Sequence, residues 1–131
     1  MGRDAILFLD DSPERAALAY QRMIPEDANH TIWCKTAAEC ISVLKDYAGR
    51  LKKVYLDHDL GGESEEIPMH SGNENSGMEV VRYLENIESA TFEGCLFIVH
   101  SYNSYAGPRM SERLTHAGYN SKYEPFGLGK L

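Results

Sequence analysis

At 131 residues, 43% of them hydrophobic and 25% charged, the chain has the size and make-up of one globular domain spanning 1–131, which excludes wholesale disorder. Its formal charge of −7 excludes broad binding along duplex DNA, which needs clustered Lys and Arg to release counterions. No apolar run approaches the roughly 20 residues that span a bilayer, and no basic-then-apolar leader precedes the first strand, so a cytoplasmic protein without membrane contact is expected.

Ala5 to Leu9 is a continuous apolar run, the pattern of a strand buried on both faces of a parallel sheet, and it ends at Asp10 and Asp11. Ser12 then caps a helix with Pro13 at its first position, carries it through Ala16, Ala19, Tyr20 and Met23, and Pro25 stops it. Thr31 to Cys34 reads as a shorter strand. Thr36 and Glu39 form a capping box ahead of a helix with Cys40, Ile41, Leu44 and Ala48 on its apolar face, ended by Gly49. Val54 to Leu56 is the third strand and runs into Asp57, His58 and Asp59.

A long polar loop, Gly61 to Ser76, follows and is expected to act as a lid, with His70, Glu63, Glu65 and Glu66 as marginal contributors. Ser76 and Glu79 repeat the capping-box pattern before a helix with a stripe of Val80, Val81, Leu84 and Ile87. Leu96 to Val99 is the fourth buried strand and ends at His100 and Ser101. A helix carrying Met110, Leu114 and Ala117 precedes a weak, polar fifth strand from Tyr119 to Tyr123.

Alternating strands and helices imply right-handed crossovers. The more apolar strands one, three and four belong in the centre, so the expected fold is α/β: a doubly wound parallel five-stranded sheet of order 2-1-3-4-5, whose crevice lies at the carboxyl ends of strands one and three. A Rossmann fold is the competitor, but the glycine pattern that would hold a phosphate after strand one is replaced by two acids. Cys34, Cys40 and Cys95 are an odd, unpaired set that fits reduced core thiols.

On this topology the carboxyl edge gathers Asp10, Asp11, Asp57, His58, Asp59, His100, Ser101 and Asn103. Clustered carboxylates in a cleft either raise their pKa values or hold a cation; oxygen ligands suit Mg²⁺ or Ca²⁺ and an added imidazole shifts the preference towards Mn²⁺ or another transition metal, so Mg²⁺ or Mn²⁺ is the expected cofactor. Asp10, Asp11, Asp57 and Asp59 are the candidate metal ligands; His58, His100, Ser101 and Asn103 are the candidate catalytic residues. Tyr102, Tyr105 and Arg109 are candidate substrate contacts, the tyrosines as stacking partners for a base. The competing structural roles are helix capping for one of the two acids and a backbone-bonded core histidine for His100.

The segments Phe8-Leu9-Asp10-Asp11-Ser12-Pro13-Glu14-Arg15, Leu56-Asp57-His58-Asp59-Leu60-Gly61, Ser76-Gly77-Met78-Glu79-Val80-Val81 and His100-Ser101-Tyr102-Asn103 together resemble the cyclic-phosphate-processing receiver-like family over almost the whole chain. The resemblance implies a receiver fold adapted to a cyclic phosphate. Joined to the acid cluster, it leads to the expectation of a metal-dependent phosphoesterase acting on a cyclic nucleotide or an RNA 2′,3′-cyclic phosphate. The alternatives are a non-catalytic cyclic-nucleotide-binding protein and a phospho-accepting receiver, with Asp57 as acceptor and Ser101 as switch hydroxyl. The sequence departs from a receiver at Glu124, where a lysine before the proline would neutralise an acyl phosphate. A second departure follows Pro125, where six residues replace a fifth helix. An uncovered sheet face would then favour a homodimer, unless Phe126, Leu128 and Leu131 fold back over it.

Overall fold

The computed structural model describes residues 3–60 and 76–125. The expected lid, with Glu63, Glu65, Glu66 and His70, and the tail carrying Phe126, Leu128 and Leu131 lie outside the described residues.

Five parallel strands form one sheet in the order β2-β1-β3-β4-β5: β1 Ala5–Leu9, β2 Thr31–Cys34, β3 Leu51–Leu56, β4 Leu96–Val99 and β5 Asn120–Tyr123. Side chains alternate along each strand, so the sheet has two differently furnished faces. Leu7, Leu9, Val54, Leu56, Phe97 and Val99 bury one face against α3 (Ala37–Asp46), α4 (Gly77–Glu85) and α5 (Ala106–His116). Ile6, Phe8, Tyr55 and Ile98 occupy the other face with Ala16, Ala19 and Met23 from α1 (Pro13–Arg22) and the residue that follows it. On this face Tyr55 and Ile98 are buried, at 1% and 3% exposed.

Local chemistry explains most boundaries. Ser12 Oγ accepts the Arg15 N–H at 3.2 Å with Pro13 at the first helical position, and Thr36 and Glu39 form the reciprocal capping box. Three expectations change. Pro25 does not merely stop a helix: it opens a short one, α2 (Pro25–Asn29), because its fixed φ and missing N–H suit a first turn. The helix expected to run to Gly49 ends at Asp46, where the Tyr47 N–H closes onto Val43. At α4, Ser76 makes no side-chain cap and Glu79 pairs instead with Arg82 at 3.0 Å, so the second capping box is absent.

What starts α4 is a close approach of backbones. The Gly77 N–H donates to the His58 carbonyl at 3.0 Å, and a Cβ on Gly77 would stand 1.9 Å from the Asp57 carbonyl oxygen and 2.7 Å from Met110 Cε. Gly77→Ala should therefore lower stability by about 1–3 kcal/mol, since the overpacking exceeds the gain in helix propensity of about 1 kcal/mol. A urea midpoint equal to or above that of the wild type would overturn this contact.

Candidate functional site

The carboxyl ends of β1, β3 and β4 converge, and the residue beyond each is buried: Asp10, Asp57 and His100 are 0%, 4% and 1% exposed. Donor atoms of these three lie within 4.8 Å of one another. The backbone of Asp10 is fixed first: its N–H donates to the Cys34 carbonyl at 3.0 Å, and its own carbonyl accepts the Trp33 indole N–H at 2.7 Å. The carboxylate then accepts the Ser12 N–H on Oδ1 at 2.9 Å and His100 Nε2 on Oδ2 at 3.0 Å. Arg15 completes it, with Nη2 on Oδ1 and Nε on Oδ2, both at 2.8 Å.

These contacts set the electrostatics. Burial pushes the Asp10 carboxyl up, but hydrogen bonds from His100, Arg15 and Ser12 outweigh it and hold the pKa at about 2. An ionised Asp10 accepts only, so the shared hydrogen sits on His100 Nε2. The imidazole stacks on Phe8, with centroids 4.9 Å apart and planes 12° from parallel, and meets the edge of Tyr55. His100 is thus buried, and the partner of its Nε2 is a carboxylate.

Asp57 behaves differently. Burial pushes its carboxyl up and Asp10 adds to this, while His100, Arg15 and the His58 N–H, which donates to Oδ1 at 2.8 Å, pull the other way; the net direction is up. A carboxyl raised by folding lowers stability as pH rises through its folded pKa. Asp57→Asn should therefore melt higher than the wild type at pH 7 and lose that advantage in acid, where the wild-type group is protonated. Thermal scans at several pH values check this, and a variant that melts lower at neutral pH would contradict it.

The remaining residues fall around this centre. His58 Nδ1 lies 2.8 Å from Asp59 Oδ1, a second carboxylate–histidine pair with an exposed Asp59. Asp59 thus pairs with His58 and stands outside the Asp10, Asp57 and His100 group, and Asp11 reaches the centre through Arg15 Nη2 at 3.6 Å. Ser101 Oγ accepts the Asn103 N–H at 3.0 Å, and its carbonyl accepts the Tyr123 hydroxyl at 2.9 Å. Asn103 Oδ1 accepts the N–H groups of Tyr105 and Ala106 at 3.0 and 2.8 Å, so it organises the start of α5. Tyr102 and Tyr105 are 62% and 68% exposed, and the Arg109 guanidinium lies 3.8 Å over the Tyr105 ring. Glu124 lies 3.7 Å from Lys122.

Arg15 is the charged residue at this centre to which the sequence analysis assigns no role. Its Nη2 also lies 3.4 Å from Asp57 Oδ2, so one guanidinium serves three carboxylates. Oxygens from Asp10, Asp11 and Asp57 around one cationic nitrogen are a donor set that fits a divalent cation, provided Arg15 moves. The three cysteines are buried and unpaired, and burial pushes Cys34 and Cys95 up to about 12, so these two stay protonated thiols.

A family model described as the cyclic-phosphate processing receiver domain matches residues 5–116. The match runs from β1 to the end of α5. Among solved structures, the chain is similar to the crystal structure of the signal receiver domain of a protein described as a Luxo repressor from Vibrio parahaemolyticus. The TM-score is 0.61 and the identity 16%, covering 97% of this chain and 81% of that one. At that identity the likeness speaks for the fold. No curated protein matches the sequence.

Proposed function

The chain belongs to the cyclic-phosphate processing receiver domain family, and on that premise we propose that it is a phosphoesterase that opens a cyclic phosphate, on a cyclic nucleotide or at an RNA 2′,3′-cyclic end. The observation that carries this reading is the pair of carboxylate-oriented histidines, Asp10 with His100 and Asp59 with His58, just beyond neighbouring strands β4 and β3. Opening the ring adds water across one P–O ester bond. A base takes a proton from the attacking water, the P–O bond breaks, and an acid returns a proton to the departing oxygen, leaving a phosphomonoester. Two histidines, each held by a carboxylate, fit those two proton transfers.

Around them, the Ser101 hydroxyl and the Asn103 amide would donate to phosphoryl oxygens, Tyr102 and Tyr105 would stack a base, and Arg109 would add positive charge at that rim. A divalent ion, Mg²⁺ or Mn²⁺, bound by Asp10, Asp11 and Asp57 would neutralise the phosphate charge and acidify a water. The homodimer and the cytoplasmic location belong to the proposal. Among the described residues no helix is long and apolar enough to cross a membrane.

Incubation with 2′,3′-cyclic, 3′,5′-cyclic and cyclic-dinucleotide substrates, with Mg²⁺ or Mn²⁺, followed by ³¹P NMR, tests the reading. One substrate should yield a phosphomonoester. Binding without turnover would assign the site to a sequestering protein, and turnover of none would overturn the enzyme. Formation of an acyl phosphate on Asp57 from acetyl phosphate would favour the phospho-accepting receiver, which Glu124 and the absence of a lysine from the described contacts of Asp57 disfavour.

A further inference from the structure

The Asp10 carboxylate is saturated. Oδ1 accepts from Ser12 N at 2.9 Å and Arg15 Nη2 at 2.8 Å, while Oδ2 accepts from Arg15 Nε at 2.8 Å and His100 Nε2 at 3.0 Å. A carboxylate offers about four lone-pair sites, so none is left for a metal ion while Arg15 stays. The same Nη2 is 3.4 Å from Asp57 and 3.6 Å from Asp11, the position from which a cation would satisfy all three acids. The Arg15 side chain is 31% exposed against 0% for Asp10 and 6% for Asp57, so it enters from solvent and can leave the same way.

We propose that Arg15 is an exchangeable internal cation, which neutralises the acid pocket when no divalent ion is bound and withdraws its guanidinium when one binds. The inference rests on the metal-dependent reading for the identity of the competitor. The physical reason is exclusion: two cations within a few ångströms repel, and Arg15 and the ion need the same Asp10 oxygens. Ion binding must first break a bidentate, charge-assisted pair, so its apparent affinity falls by the fraction of molecules in which that pair is open. Once withdrawn, the planar fork is placed at the pocket mouth with the geometry that grips a phosphate by two oxygens. The exchange would thereby couple ion entry to capture of the anionic substrate.

The experiment uses wild-type protein and Arg15→Met, with Mg²⁺ alone as the probe. NMR follows the Arg15 Nε–H and the Trp33 indole N–H, which reports on the Asp10 carbonyl, and calorimetry gives the affinity. As Mg²⁺ binds, the Arg15 Nε–H should move to the position of a solvated arginine. Arg15→Met should bind Mg²⁺ at least about tenfold more tightly, since the competing conformer is gone. Mg²⁺ bound by the variant alone would also support exchange. A saturable Trp33 shift with Arg15 unmoved, or a folded variant that binds no more tightly, would overturn it and leave metal-dependent turnover standing. Mg²⁺ bound by neither protein would overturn both the exchange and the metal dependence. Should Arg15→Met not fold, the wild-type resonances alone decide.

Discussion

Asp10→Ala should cost about 3–4 kcal/mol of folding stability, a large share of the 5–15 kcal/mol typical of a domain. The carboxylate is fully buried and accepts four hydrogen bonds, and its loss leaves His100 without its carboxylate in an apolar setting between Phe8 and Tyr55. Arg15 recovers part of the loss, because it is partly exposed and keeps Asp11 and Asp57 within 3.6 Å. That places the cost at the lower end for a broken buried pair. Asp10→Asn offers little relief: its amide nitrogen would face the donors of Arg15 or His100. The effect has a pH signature. Because folding holds Asp10 at about 2 against an ordinary 3.8, the wild type gains stability above pH 4 that disappears as pH falls toward 2, roughly 2 kcal/mol in all. The gap between wild type and Asp10→Ala should therefore narrow over that interval in urea titrations. A gap that stays constant from pH 4 to pH 2 would show that Asp10 is not held ionised by these partners.

The sheet was legible because its signal is local. Five consecutive apolar residues in β1 and four in β4 have no other stable place than the middle of a parallel sheet, and Ser12-Pro13 and Thr36-Glu39 mark helix starts through chemistry confined to one turn. The acids and histidines were legible for the same reason, since strand ends of a known order share an edge. Arg15 was not. It stands five residues past Asp10 in the sequence, but its role depends on α1 turning back over the strand ends so that one guanidinium reaches β1 and β3 residues together. Ser76-Glu79 shows the opposite failure, a correct local pattern overridden by packing: the approach of Gly77 to the Asp57 backbone sets the start of α4, and Glu79 finds Arg82. Asn103 carried a polar signal that served equally for ligand and cap, and its Oδ1 is committed to the first amides of α5.

The largest effect on turnover is expected at His100. Glutamine there retains a donor that can reach Asp10 and fills most of the imidazole volume beside Phe8, but an amide neither accepts nor releases a proton near neutral pH. His100→Gln should thus lower kcat by about 10²–10⁴ with little change in KM, the range for loss of a general acid or base. His58→Gln tests the partner. Among the described residues its ring is oriented by an exposed Asp59, so water can replace that contact and its loss should cost less than that of the buried dyad. If the two histidines act in one proton-transfer cycle, the double variant should be hardly slower than His100→Gln alone, because groups that work as a unit are not additive. Substrate affinity separates chemistry from packing: His100→Gln should still bind the cyclic phosphate with near wild-type affinity while its turnover falls. A variant that folds, binds the cyclic phosphate and keeps most of its turnover would assign His100 to the core alone, with His58 and solvent carrying the protons.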